Sequence, residues 1–395
     1  MSKILLSLLS CTLLFADTTP LSSTKQEILS LKRQQIVKDT DVASKSWISP
    51  LNFSASINKN HDASSNETQT QNASLQWNQD IFRSGGIDST IKQSRASGAA
   101  SLLGIDIQEA AYLKQIFTLK TQIIRDTLIV KQDEFTLKNS EIDLMMTKAK
   151  YKAGLSDLSQ LNQITLTKDT SRNNLISVKN NLQSESFELQ KLIGSQNIES
   201  LHVEQFVLPT KEEYLARNLE LLQYDKQSEA NVAAWKVKSS SYLPKLSLNA
   251  NYGYSKYDYS SPLVSDTQGN TYSYGLTFSM PILDVNSNSS IESARLVSLQ
   301  TKSQQNDRKI ELEQQYEEHC NNIKNFEEKI SVADEMIKMY DELFTFTKGQ
   351  VAAGFKSQYD LDSLENSSKI QKLEKEIQNY NILLEKITLY FDMKK

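Results

Sequence analysis

The sequence predicts a mainly helical chain with a smaller antiparallel β component, built twice on one plan, and three observations carry that prediction. The composition is polar and poor in helix breakers: of 395 residues 38% are hydrophobic and 8% aromatic, with only 11 glycines and six prolines. Such a chain is thin for two or three compact cores and suits long helices. Apolar residues recur every seven positions through two long segments, and four short segments alternate apolar with polar residues at the period of a strand. The mean hydropathy of −0.48 excludes a bundle of membrane-spanning helices. A net charge of −4 with no strongly basic stretch excludes tracking of a nucleic-acid backbone.

Met1 to Ala16 reads as a secretory signal: a cation at Lys3, an apolar run from Ile4 to Phe15 broken only by small polar residues, and Ala16 before Asp17-Thr18-Thr19-Pro20. The run is too short to span a bilayer. Cleavage after Ala16 is expected, with Leu14 larger than the residue usual at that place. The alternative is a lipoprotein acylated at Cys11, because Leu8-Leu9-Ser10-Cys11 loosely resembles a lipobox. If Cys11 leaves with the leader, Cys320 is the sole remaining cysteine and no intrachain disulfide forms. No later segment is apolar enough to cross a membrane as a helix, so any insertion must use strands.

The duplication is visible residue by residue. Thr147-Lys148 followed by Ala153-Gly154 recurs 200 residues later as Thr347-Lys348 followed by Ala353-Gly354. The apolar series Ile116, Ile123, Val130, Leu137, Leu144 and Tyr151 is matched at the same displacement by Tyr316, Ile323, Ile330, Ile337, Phe344 and Val351. The first repeat, 17–209, is expected to hold a polar helix over 23–46, a β-hairpin over 47–82 and long helices over 87–193, turning between 152 and 156. The second, 210–395, repeats this as a helix over 210–242, a hairpin over 245–283 and long helices over 287–393. Pro50, Pro209, Pro244, Pro262 and Pro281 all fall at these boundaries, where their missing N–H costs least.

A helix of about 65 residues is on the order of 100 Å long, too long to wrap one core. Its seven-residue period implies left-handed supercoiling against neighbours. A second series, Leu128, Phe135, Ile142 and Ala149, lies roughly 140° around the helix from the first. Val332, Met339 and Phe346 supply the far side in the second repeat. A helix that is apolar on two opposed sides suits a wall with one neighbour on each side and water on both surfaces. The alternative is a solid coiled-coil rod.

In the hairpins, Leu246, Leu248, Ala250, Tyr252 and Tyr254 alternate with Ser247, Asn249, Asn251 and Gly253, and Tyr272 to Met280 repeat the pattern. Leu51, Phe53, Ala55 and Ile57, then Ala73, Leu75 and Trp77, do the same in the first repeat. The lengths match tilted strands crossing hydrocarbon; the alternative is a small soluble sheet with one face on a core. Four strands cannot close a barrel, and an open edge is not tolerated in lipid. Three copies would give twelve strands, and would close twelve helical columns into a hollow cylinder.

The segments Ser241-Tyr242-Leu243-Pro244-Lys245-Leu246-Ser247-Leu248 and Met280-Pro281-Ile282-Leu283, with the paired turns Tyr151-Lys152-Ala153-Gly154-Leu155 and Val351-Ala352-Ala353-Gly354-Phe355, resemble the TolC-type outer-membrane factor family. The resemblance covers nearly all of the mature chain. It implies a homotrimer whose long antiparallel coiled-coil helices form a periplasmic α-barrel and whose strands form a 12-stranded β-barrel in outer-membrane lipid. It further implies a passive exit duct of a tripartite efflux pump or type I secretion system, served by a periplasmic adaptor and an inner-membrane pump of the RND or ABC type. By the same resemblance Ala153, Gly154, Leu155, Ala353, Gly354, Phe355 and Lys356 mark the adaptor-docking tip, and Asp360 and Asp362 the pore constriction. Gln160 stands where the first repeat of the family often has an acid, and Ser363 where a second acid ring is expected. Taken without the resemblance, Asp360 and Asp362 also suit a carboxylate pair favoured by a helix dipole.

Catalytic and metal chemistry find no foothold. His61, His202 and His319 are scattered without metal spacing, and Cys320 cannot join His319 as a ligand because helical neighbours point apart. Neither a Gly-rich phosphate loop nor a G-x-S-x-G element occurs. Met145, Met146, Met336 and Met339 fall at packing positions. No enzyme activity, cofactor, metal or nucleic-acid partner is expected. The competing class is a trimeric coiled-coil structural or adhesin-like envelope protein without a pore.

Overall fold

A computed structural model describes residues 20–61, 67–194, 206–260 and 265–394. The expected leader, Cys11, His202 and Pro262 lie outside them. The elements run α1 (Ser23–Ser44), β1 (Asn52–His61), β2 (Glu67–Phe82), α2 (Gly86–Lys152), α3 (Leu158–Ile193), α4 (Lys211–Arg217), α5 (Leu219–Ser240), β3 (Lys245–Tyr259), β4 (Thr267–Ser279), α6 (Ser287–Ala352) and α7 (Gln358–Phe391). Among the described residues no helix is long and apolar enough to cross a membrane.

One expectation is corrected. The helix expected over 210–242 is two helices, parted at Asn218. That residue is extended (φ −63°, ψ 124°), and its side-chain oxygen accepts from the N–H groups of Glu220 and Leu221 to cap α5. Its backbone bridges to Met393, while Leu219 N donates to Asp392 O at 3.0 Å and Lys394 N to Arg217 O at 2.7 Å. The backbone groups freed by leaving the helix are therefore satisfied by the end of the chain, a tertiary compensation for the break.

Packing sorts the chain into two compact units, each drawn from both halves of the sequence. One comprises residues through Ile28, Ala110–Leu208 and His319–Phe391. Within it the helices stand in the order α3, α2, α7, α6. Lys179 meets Glu134 at 3.0 Å between α3 and α2, Gln132 meets Glu374 at 2.8 Å between α2 and α7, and Lys375 meets Asp334 at 2.8 Å between α7 and α6. The core gathers Phe206, Ile387 and Phe391 against Leu113, Phe117, Leu383 and Tyr390. Phe117 stacks on Phe391 with ring centroids 5.4 Å apart. Here α2 has a neighbour on both sides, as its two apolar series predict, whereas the far-side series Val332, Met339 and Phe346 of α6 is exposed. Leu166, Ile176 and Phe187 of α3 are exposed likewise. This unit therefore ends in two apolar edges that are exposed among the described residues.

The other unit comprises Leu29–Glu109, Pro209–Glu318 and Asp392–Lys395. It holds the sheet and a second row of helices in the order α1, α2, α5, α6. Arg33 on α1 pairs with Asp106 at 2.5 Å and Glu109 at 2.7 Å on α2, and Gln223 on α5 reaches Ala100 O at 3.3 Å. On α6, Thr301 accepts from Asn231 at 2.8 Å and Arg308 pairs with Glu220 at 2.5 Å. Gly98 lets α1 approach α2: a Cβ there would lie 2.1 Å from Thr40 Oγ1 and 3.0 Å from Thr40 Cβ.

Gly98→Ala should therefore destabilise by roughly 1–3 kcal/mol through overpacking, although alanine is the better helix former by about 1 kcal/mol. Thermal unfolding of the detergent-solubilised protein measures this, and Thr40→Ala in the same chain should restore most of the loss.

Candidate channel wall and tip turns

The four strands form one antiparallel sheet in the order β1-β2-β3-β4. Its register lines up Phe53, Leu75, Tyr252 and Tyr272 across one face, with Trp77, Ala250 and Tyr274 in the next row. After an irregularity between Asp80 and Phe82, the row Phe82, Leu246 and Phe278 continues that face. The opposite face carries Asn52, Gln76, Asn251 and Ser273, then Ser54, Ser74, Gly253 and Thr271. From Leu246 to Tyr254 the apolar band spans about 27 Å along the strand, or about 20 Å of height at the usual tilt, close to the band of a membrane barrel.

A soluble sheet would cover that apolar face with a second layer. Here it is bare: Phe53 is 71% and Tyr274 82% exposed, and Leu276 and Phe278 are exposed beside them. Among the described residues both outer strands also keep one backbone edge without a paired strand. An uncovered apolar face backed by amides and hydroxyls is the pattern of a wall with lipid on one side and water on the other.

The two tip turns share one construction. Leu155 N donates to Lys150 O at 2.8 Å and Gly154 N to Tyr151 O at 3.0 Å, and Phe355 N to Gln350 O at 2.9 Å and Gly354 N to Val351 O at 3.0 Å. These are Schellman closures, which satisfy the last carbonyls of a helix and require a left-handed residue. Gly154 (φ 71°) and Gly354 (φ 78°) supply it. A Cβ on either would meet nothing within 4 Å, so backbone conformation rather than space selects glycine. Ala153, Gly154, Leu155, Ala353, Gly354, Phe355 and Lys356 are all exposed, Leu155 at 78% and Phe355 at 82%.

The helices leaving these turns start on side-chain caps, in the second repeat a reciprocal capping box that the pattern Ser357-Gln358-Tyr359-Asp360 displays and the sequence analysis did not single out. Ser357 Oγ and N donate to Asp360 Oδ2 at 2.7 and 2.9 Å, and Asp360 N donates back to Ser357 Oγ at 3.2 Å. In the first repeat Asp157 Oδ1 accepts from Gln160 N at 2.7 Å, while Ser156 Oγ donates to Gln160 Oε1 at 2.8 Å. The acid missing at Gln160 thus stands at the cap itself. Bonds from the Ser357 hydroxyl and N–H hold the Asp360 carboxyl below the usual carboxylate range, with the charges of Lys356 and Lys150 in support. Asp362 accepts from Gln358 Nε2 at 2.8 Å, and the backbone oxygen of Ser363 from Asn139 Nδ2 at 3.4 Å. Among the described residues no group of three or more His, Cys, Asp or Glu could hold a metal ion.

A bare-faced, open-edged membrane sheet joined in one chain to long paired helices defines a subunit of an outer-membrane channel. The sequence profile of the outer membrane efflux protein family matches residues 29–195 and 211–390, and the chain belongs to that family. It is accordingly a transport protein of the cell outer membrane and not an enzyme. No curated protein sequence matches it. Its fold is similar to that of a membrane protein from Pseudomonas aeruginosa, at 12% identity over 95% of this chain and 91% of that one with a TM-score of 0.72. The outer membrane protein VceC of Vibrio cholerae is similar at 13% identity over 92% of each chain, with a TM-score of 0.69. The CmeC outer membrane channel of Campylobacter jejuni is similar at 13% identity over 96% and 85%, with a TM-score of 0.69.

Ser357→Ala should cost about 1 kcal/mol locally and speed amide exchange of Gln358 to Leu361 about fivefold, with little change elsewhere. Because the Asp360 carboxyl titrates lower in the folded chain than in the unfolded one, its cap is fully formed above the ordinary carboxylate range. Protection of those amides, corrected for intrinsic rates, should fall away as pH drops below about 4.

Proposed function

We infer that three copies of this chain assemble into the exit duct of a tripartite efflux pump or type I secretion system. The observation that carries this reading is that both compact units stop at open edges. The sheet stops at β1 and β4, and the helical row of the first unit stops at the exposed apolar seams of α3 and α6. Unlike edges joined head to tail generate a ring when the rotation closes. Three copies of a four-stranded sheet give twelve strands, within the range of membrane barrels. The hydroxyl and amide face then lines a water-filled lumen, and the helices line a tunnel across the periplasm.

In this reading residues 1–16 export the chain, and the repeats 17–209 and 210–395 supply alternate sectors of the ring. Leu155, Phe355 and Lys356, on turns that the helix pairs hold out into solvent, offer an adaptor two apolar anchors and a charge. Three Asp360 carboxylates, kept ionised by their caps, make a ring that attracts cations at the constriction. The duct is passive, and an inner-membrane pump of the RND or ABC type supplies the energy. The coiled-coil reading without a pore leaves the bare apolar sheet without a purpose.

Native mass spectrometry of the detergent-extracted protein should give a trimer, and Phe346→Asp or Val332→Asp, which place a charge in the open α6 seam, should shift the mass towards monomer. A monomeric wild type would sink the reading. In planar bilayers, Asp360→Ala should relieve cation block and raise resting conductance severalfold; unchanged block would remove Asp360 from the constriction.

A further inference from the structure

Between α2 and α3 in the first unit lies a group of charges for which conduction has no use. Asp126 is 6% exposed. Arg125, beside it, donates to its Oδ1 from two guanidinium nitrogens, both at 2.8 Å. Arg125 also reaches Asn381 Oδ1 on α7 at 3.4 Å, and Asn381 donates to Gln378 Oε1 at 3.0 Å. From α3 comes Glu185, half-buried, whose Oε2 is closed off from solvent and receives no hydrogen bond. Two carboxyl groups thus share one guanidinium, and that guanidinium is spent on Asp126.

An ionised carboxylate can only accept, so a buried oxygen with no donor carries its full desolvation cost. A proton removes the difficulty. Protonated Glu185 becomes a donor, and Asp126 is the acceptor that faces it. We propose that Glu185 holds a proton and donates it to Asp126 across the α2–α3 seam, making the seam a latch that loosens when the proton leaves.

The electrostatics agree in direction. Burial, reinforced by the Asp126 charge and opposed by Arg125, pushes the Glu185 carboxyl up to about 7. On α2, Lys120 is buried and Asp133 half-buried, and Glu134 pairs with Lys179 of α3 at 3.0 Å. On α3, Glu188 and Lys191 pair at 2.5 Å. On α7, Glu374 accepts from Gln132 and Gln378, and Glu385 is bound to His319 and Asn322 of α6. Since the folded value lies above the unfolded one, the folded chain holds the extra proton between them. The stabilisation is complete below about 4.5, the unfolded carboxyl value, and is lost as pH rises through about 7. The latch lies on α3, an open edge of its unit, so loosening it alters a surface offered to another copy. It lies within one chain, however, and stands whether or not the duct reading does.

The test is the pH dependence of thermal unfolding of the full-length protein in detergent. The wild type should unfold roughly 3 °C or more lower at about pH 8.5 than at about pH 6, and Glu185→Gln, which keeps a donor but cannot titrate, should lose most of that difference. Asp126→Asn, which removes the like charge, should shrink it as well and serves if the first variant folds poorly. Infrared spectra should show a protonated carboxyl band in the wild type at about pH 6 that fades through about pH 7 and is missing in Glu185→Gln. An unchanged pH slope in either folded variant, or no such band in the wild type, overturns the proposal.

Discussion

Hydrocarbon does not hydrogen-bond, and the rest of this structure follows from that. Each backbone N–H or C=O left unpaired in lipid costs several kcal/mol, so a spanning sheet must close on itself. Among the described residues this chain supplies one sheet of four strands, and its two outer strands have no further strand beside them there. The helical row α3, α2, α7, α6 has the corresponding shortage in apolar rather than polar terms: its inner columns are flanked, its outer columns are bare. Hydrogen bonding and the hydrophobic effect thus make the same demand in both units. An unlike edge of another copy would meet both demands, and the proposed assembly rests on that.

Much of this was legible in the sequence because it rests on local periodicity. The seven-residue series placed α2 and α6, proline and glycine placed their ends, and strand alternation named the face that Phe53, Leu75, Tyr252 and Tyr272 share. What was not legible depends on partners distant in the chain. The break at Asn218 exists because residues 392–394 arrive to take up the backbone groups it frees, and nothing near Asn218 announces that. The Glu185 and Asp126 meeting depends on the rotation of two helices about their axes, which a heptad pattern leaves open by tens of degrees. The Ser357 and Asp360 box is the exception, a local pattern written in the letters but passed over in favour of pairing Asp360 with Asp362.

The helix caps also show how duplicated halves diverge without losing a common task. Both repeats must start a helix immediately after a reversal, and both use one acid to do so. The first puts it at the cap, Asp157, and the second three residues later, Asp360. The helix start is equally satisfied, but the charge is presented from a different position on the helix. In the proposed ring, alternating repeats would keep a uniform backbone at these turns while their charges alternate in place.

Those tip reversals rest on main-chain bonds and a pair of glycines facing open space, so they ask nothing of the side chains they display. Leu155 and Phe355 can be exchanged for other residues with almost no penalty to the hairpin beneath them. Under the proposed docking role, the side chains shown to a partner could change while the backbone turn stays constant.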